Sequence, residues 1–310
     1  MHAVKFGLFF PQVGLPFAAI RERAQLADRL GYDSILFVDH MWSRGMPELD
    51  QLEAWTVMTA TAALTERIRV GALVLCNSYR NPALLAKMAA SLDAVSNGRL
   101  LLGIGAGWMD EEYRGYGYPF PPARVRIEQL EEGLEVIKRL FTQPRSTFQG
   151  KYYALDEAVN RPAPVQKPHP PILIGGGGER LLLKVVARHA DIWNCPNNHA
   201  AALPRRLAAL REHCASVGRD PDEIEVSEQC VIVIGRDQKD FQQRWSAARQ
   251  TLGSVFDLEK TAFRGTPDQI VEQLQKRREQ GVTFFTFLLG DFHAPQSLEL
   301  FAEKVVPAFR

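Results

Sequence analysis

Residues 170–181, Pro-Pro-Ile-Leu-Ile-Gly-Gly-Gly-Gly-Glu-Arg-Leu, run an apolar strand into successive glycines and then into helix-period sequence that opens at Glu179 and continues through Val186. Glycine loses more conformational freedom on folding than any other residue, so such a run implies a demand for bare backbone. Without Cβ atoms a ligand can approach closely, and consecutive N–H groups can form an anion-binding concavity. A helix start adds its unpaired N–H groups and the positive end of its dipole. Gly175, Gly176, Gly177 and Gly178 therefore read as a phosphate cradle at the C-terminal end of a strand. The competing reading is a tight strand-to-helix turn with left-handed dihedrals, which one or two glycines would satisfy.

Other chemistry-bearing residues also follow apolar runs. Asp39-His40-Met41-Trp42 offers a hydrogen-bond acceptor beside a ring that titrates near neutrality, a combination suited to proton donation or relay. In the plainer alternative Asp39 caps a helix or turn and His40 is a satisfied polar residue. Leu75-Cys76-Asn77-Ser78-Tyr79-Arg80-Asn81-Pro82 could turn a polar cluster to a ligand, although Asn81-Pro82 is also an ordinary helix start. Gly103-Ile104-Gly105-Ala106-Gly107-Trp108 alternates glycines on which a flat ring could lie, with Trp108 as a wall. Its spacing is not the dinucleotide fingerprint, and glycine-rich motifs of this kind are often tight turns. Cys76 and Cys195 lack a partner that would mark a nucleophile, and the four cysteines have no metal-ligand spacing, so no metal is expected.

The elements that must position these groups alternate from end to end. Strand-like runs fall at Val4–Phe10, Ser34–His40, Ile68–Cys76, Arg99–Gly105, Ile172–Ile174, Asp191–Asn194, Val226–Ile234 and Thr283–Leu289. Helical sequence follows each, as in Phe17–Leu30, Glu53–Leu64, Pro82–Val95, Arg124–Phe141 and Pro267–Gln280. Near-continuous apolar strands suit a sheet covered on both faces. The alternation predicts a closed (β/α)8 TIM barrel, with an open doubly wound sheet as the alternative. Residues 1–310 are expected to form a single domain with an insertion at about 142–171, containing a hairpin at Thr147–Leu155. A second insertion is expected at about 237–263. In a barrel the reactive groups sit at the C-terminal strand ends, where the motifs above fall. A net charge of +1 over 310 residues removes the usual case for a nucleic-acid partner. No signal-peptide pattern and no apolar run of membrane-spanning length is seen, so a cytoplasmic protein is expected.

Taken in order, Asp39-His40, Arg80-Asn81-Pro82-Ala83, the stretch from Gly98 to Trp108 and the stretch from Pro171 to Gly178 resemble the luciferase-like monooxygenase superfamily. The resemblance runs from Phe6 to about Phe309 and is strongest to the branch dependent on the deazaflavin coenzyme F420. It implies a bacterial luciferase-like barrel, homodimers, and flavin or deazaflavin at the barrel mouth. Asp39 would contact the ring system, and His40 would face the substrate as the catalytic residue. A non-proline cis peptide near Ala72–Leu73 would lie behind the ring, with Leu75 and Asn77 beside the cofactor. Ala106 and Gly107 would run along it, and Gly175 to Gly178 would hold its phosphate. Deazaflavin-dependent sugar-phosphate dehydrogenases carry a catalytic Glu where this chain has Trp108, and a Lys in the loop that here reads Cys195-Pro196-Asn197-Asn198-His199. The resemblance therefore implies a more apolar pocket, walled by Trp42, Trp108 and Tyr113, and disfavours sugar-6-phosphate oxidation.

The expected function is hydride transfer between F420 and a small organic substrate. An FMN-dependent monooxygenase using O2 and a separate flavin reductase is the alternative, and a non-catalytic flavin-binding protein is a further one. Glu53–Leu64 and Pro82–Val95 are rich in small residues, among them Ala62 and Ala89, and are expected to meet across a homodimer interface. Coverage of these helices by inserted segments of the same chain is the alternative.

Overall fold

Strand β1 (Lys5–Phe10) pairs in parallel with β2 (Ser34–Phe37) on one side and β12 (Phe284–Leu289) on the other. The computed structural model describes residues 3–196 and 201–310. From β2 the parallel order continues through β3 (Arg69–Ala72), β5 (Leu100–Gly105), β8 (Ile172–Gly175), β9 (Ile192–Cys195) and β10 (Glu225–Ile234). β10 also pairs with β12, so the ring closes as a barrel of eight parallel strands and the open-sheet alternative falls. The two-residue strand β4 (Leu75–Cys76) resumes the line of β3 along β5.

Alternating side chains divide between two cores, as strand geometry requires. Phe6, Leu8, Phe10, Ile35 and Phe37 belong to one cluster, with the apolar faces of the outer helices. Phe9, Leu36, Leu101, Leu173, Val231 and Leu288 belong to a second, which fills the ring and runs on to Trp245 and Leu252. Helices α1 (Phe17–Leu30), α2 (Ala54–Leu64) and α3 (Pro82–Val95) follow the first strands. Asn81 caps α3 through the Ala83 N–H, with Pro82 at its first position. After β5 come a short helix α4 (Asp110–Gly115), unforeseen in the sequence, and the long α5 (Ala123–Thr142).

The first insertion carries an antiparallel hairpin of β6 (Ser146–Gln149) and β7 (Ala154–Ala158), turned at Gly150 as expected. Helices α6 (Leu182–His189) and α7 (Leu203–Val217) follow β8 and β9. The 237–263 stretch forms α8 (Gln238–Leu252), α9 (Leu258–Thr261) and the start of β11 (Ala262–Gly265), which pairs with β10 beyond the residues that β9 covers. Helices α10 (Pro267–Glu279) and α11 (Pro295–Lys304) flank β12. Among the described residues no helix is long and apolar enough to cross a membrane.

Candidate active site

Between Ala72 and Leu75 the third strand leaves its ladder, and the Leu73–Val74 peptide is cis, one bond beyond the expected Ala72–Leu73 position. Here the Val74 side chain presses towards β5 and β8. A Cβ on Gly105 would stand 2.8 Å from Val74 Cγ2, and one on Gly175 would stand 3.0 Å from its Cγ1. A Cβ on Gly103 would lie 1.8 Å from the Ala72 carbonyl oxygen. Gly103 and Gly105 thus make room for the neighbouring strand, a demand independent of any ring lying on them.

His40, just past β2, places Nδ1 2.9 Å from Glu112 Oε2 on α4. The same carboxylate accepts the Met41 N–H at 2.7 Å and the Tyr79 hydroxyl at 2.8 Å. Glu112 is only 1% exposed, and burial works to raise its pKa. The hydrogen bonds from His40, Tyr79 and the Met41 N–H outweigh that and hold it below the ordinary carboxylate value. Burial, reinforced by the bond to Glu112, pushes the Tyr79 phenol far up. The Trp108 indole, 58% exposed, meets the His40 ring edge-on at 5.6 Å.

Asp39 caps no helix. Its oxygens take Arg80 Nη1 at 2.7 Å and Nη2 at 2.9 Å, and Oδ2 also accepts the Cys76 N–H at 2.8 Å. Arg80 continues to Glu53, 2.7 Å away, whose carboxylate caps α2. This chain of contacts ties the end of β2 to β4 and α2. Burial opposes the Arg80 charge, but Asp39 and Glu53 more than compensate and raise its pKa. Cys76 Sγ lies 3.1 Å from the Tyr113 hydroxyl, and burial lifts the thiol to about 11, which suits an inert cysteine.

The glycine run divides in two. Gly175 faces Val74, and Gly176 has φ 135°, so both answer internal demands. Gly176 donates to the Asn194 carbonyl at 3.1 Å and accepts Trp193 Nε1 at 2.8 Å. The Gly177 carbonyl accepts Arg206 Nε at 2.9 Å. By contrast, among the described residues no acceptor meets the N–H groups of Gly177 and Gly178. A Cβ on Gly178 would make only an ordinary 3.5 Å contact with Leu182 Cβ. The helix expected from Glu179 begins at Leu182, because Glu179 to Leu181 form a turn whose acidic side chain meets Arg205 at 2.7 Å.

A cavity of about 200 Å³ opens at these strand ends. Asp39, His40, Leu73, Leu75, Gly107, Trp108, Gly175 and Gly176, all singled out in the sequence, come together around it. Tyr79, from the polar cluster after the third strand, also lines it, and Val74, Met109, Glu112, Asn194 and Gln229 join them without having been foreseen. Trp42, Ala106, Gly177 and Gly178 are not among its lining residues. Tyr113 is fully buried with its hydroxyl on Cys76, so it supports the wall rather than forming it. Ala72 is buried beneath the cavity, and Asn77 turns to the hairpin, donating to the Tyr153 hydroxyl at 3.2 Å. Asn197, Asn198 and His199 lie outside the described residues. A larger cleft of about 730 Å³ lies on the flank between α5, the hairpin loop, α6 and α7. The cavity at the mouth is the candidate site, because the strand ends converge there and the His40–Glu112 pair lines it.

The sequence model for luciferase-like monooxygenases matches residues 4–256. The chain belongs to this family. It is 27% identical to an FMNH(2)-dependent dimethylsulfone monooxygenase of Pseudomonas putida, with 99% of this chain and 95% of that protein covered. It is 25% identical to an F420-dependent glucose-6-phosphate dehydrogenase of Amycolatopsis mediterranei, with 93% of each covered. Among solved structures, an F420-dependent secondary alcohol dehydrogenase in complex with an F420–acetone adduct superposes over 100% of both chains. Its TM-score is 0.84 at 21% identity, a likeness of fold. This luciferase-like chain is thus an enzyme whose relatives divide between deazaflavin and flavin chemistry.

Proposed function

We propose that this luciferase-like enzyme transfers a hydride between coenzyme F420 and a small, neutral organic substrate at the barrel mouth. The observation that carries this reading is the His40–Glu112 pair lining the cavity. Hydride exchange at an oxygen-bearing carbon needs a proton to leave or reach that oxygen, and His40 is placed to carry it. When bound, the deazaflavin supplies two-electron hydride chemistry.

The residues fit such a cofactor. A cavity of about 200 Å³ suits a ring system rather than a whole phosphorylated cofactor. Leu73, Val74 and Leu75 would give the ring an apolar wall, and the N–H groups of Gly177 and Gly178, which meet no acceptor among the described residues, would hold the phosphate beyond it. Asp39 would meet the ring's polar edge while fixed by Arg80. Arg80 is engaged by Asp39 and Glu53, and Arg44 by Trp108 and Glu111, which disfavours an anionic substrate. Anaerobic incubation with oxidised F420 and a panel of small neutral alcohols tests the reading. Bleaching of the deazaflavin band is expected; turnover only with reduced FMN and O2 would contradict it. That second reading, a monooxygenase served by a flavin reductase, is favoured by the Pseudomonas putida relative.

A homodimer through α2 and α3 belongs to the same proposal, through other residues than the sequence suggested. Ala62 and Ala89 are buried in the chain's own core, whereas Leu64, Leu84 and Val95 are 40%, 56% and 60% exposed. Leu84→Glu should convert a dimer to monomer in light scattering, and a wild-type mass of one chain would refute the dimer.

A further inference from the structure

We infer that Glu112 is a positioning residue that holds His40 with its proton on Nδ1, leaving Nε2 as the atom that exchanges protons at the mouth. An ionised carboxylate can only accept. Glu112 Oε1 is taken by the Met41 N–H at 2.7 Å, and Oε2 by the Tyr79 hydroxyl at 2.8 Å and His40 Nδ1 at 2.9 Å. An unprotonated Nδ1 would turn its lone pair on an anion, so Nδ1 carries hydrogen in both the neutral and the cationic ring. Only Nε2 then changes state, accepting a proton when neutral and donating one when charged.

The same contacts fix the ring's direction. Glu112 grips the His40 ring and the next residue's backbone together, while Gln51 Nε2 donates to the His40 carbonyl. The Trp108 ring packs against the His40 ring edge-on, 5.6 Å between centroids. Tyr79 also lines the cavity, but it spends its hydroxyl hydrogen on Glu112. It therefore leaves proton exchange to His40. This rests on the proposed role of His40, although the tautomer can be measured without cofactor or turnover.

The test is a long-range ¹⁵N–¹H spectrum of ¹⁵N-histidine-labelled protein, free of cofactor, at a pH where imidazole is neutral. His40→Gln identifies the His40 signals by their loss. Wild type should show a protonated Nδ1 and a pyridine-type Nε2. In Glu112→Gln the Met41 N–H still needs the amide oxygen, so the amide NH2 faces Nδ1 and the proton should move to Nε2. Tyr79→Phe should leave it on Nδ1. A proton on Nε2 in wild type overturns the inference, whether or not the Gln variant folds, and so does an unchanged tautomer in a folded Glu112→Gln. In turnover, Glu112→Gln should lower kcat by roughly 10²-fold with KM and cofactor Kd within a few-fold. A switched tautomer with unchanged kcat would uphold the tautomer assignment but overturn proton exchange at Nε2, and with it the role of His40 in the proposed reaction.

Discussion

Val74 lies so close to Gly105 that an added Cβ would stand 2.8 Å from its Cγ2. The pair couples the irregular end of the third strand to the fourth, where the cavity opens. Gly105→Ala should destabilise the fold by about 1–3 kcal/mol, as overpacking does. Val74→Ala should relieve the clash, so the double variant should lose less stability than the sum of the singles in urea titrations. Additive losses would show that the contact carries no strain.

The two halves of the glycine run should respond differently. Gly176→Ala forces a side chain onto φ 135° and should lower stability by about 1 kcal/mol or more. Among the described residues a side chain at Gly178 would meet Leu182 alone, and Gly178→Asp sets a negative charge beside the N–H groups of Gly177 and Gly178, which meet no acceptor there. It should keep the melting temperature and weaken cofactor binding by roughly tenfold or more, about 1.4 kcal/mol. Normal affinity in folded Gly178→Asp would leave the run as a turn only.

Removing the His40 ring should spare binding and slow chemistry. His40→Ala should keep cofactor Kd within a few-fold and lower turnover by roughly 10²-fold. Unchanged steady-state turnover would exclude the ring from the reaction.

Stability should decline on both sides of a mildly acidic optimum. Glu228 faces the helices, 2% exposed, and burial lifts its carboxyl to about 7, only partly offset by Arg277. The folded chain therefore holds a proton that the unfolded chain releases above 4.5, and this contribution is lost as pH rises through about 7. Burial lowers His189 to about 3 and His293 to about 4, so their contribution is present above 6.5 and lost as pH falls through those values. Glu228→Gln should raise stability by on the order of 2 kcal/mol in alkali and change it little near pH 5. An equal offset at both pH values in thermal melts would contradict this origin.

The barrel was legible because each apolar strand run announces itself locally and the count of βα units selects closure. The site was legible only in part. Asp39 and His40 stood out by type and position, but the partners that define their roles come from elsewhere in the chain. Arg80 reaches Asp39 across 41 residues of sequence, and Glu112 reaches His40 across 72. Within Asp110-Glu111-Glu112 the carboxylate that meets His40 looks like any acidic first turn of a helix. The purpose of Gly103 and Gly105 was hidden because it depends on how the adjacent strand departs from its ladder. Tyr113 had the composition of a pocket wall, yet its hydroxyl is buried on Cys76 behind it.

The central claim is that the barrel mouth takes a deazaflavin in preference to a flavin. Parallel fluorescence titrations of the purified protein with F420 and with FMN test it most directly. Saturable binding of F420 with Kd below about 1 μM, and FMN at least roughly tenfold weaker, is the expected result. Tight FMN binding with no measurable affinity for F420 would contradict the account and assign the chain to oxygen-dependent flavin chemistry.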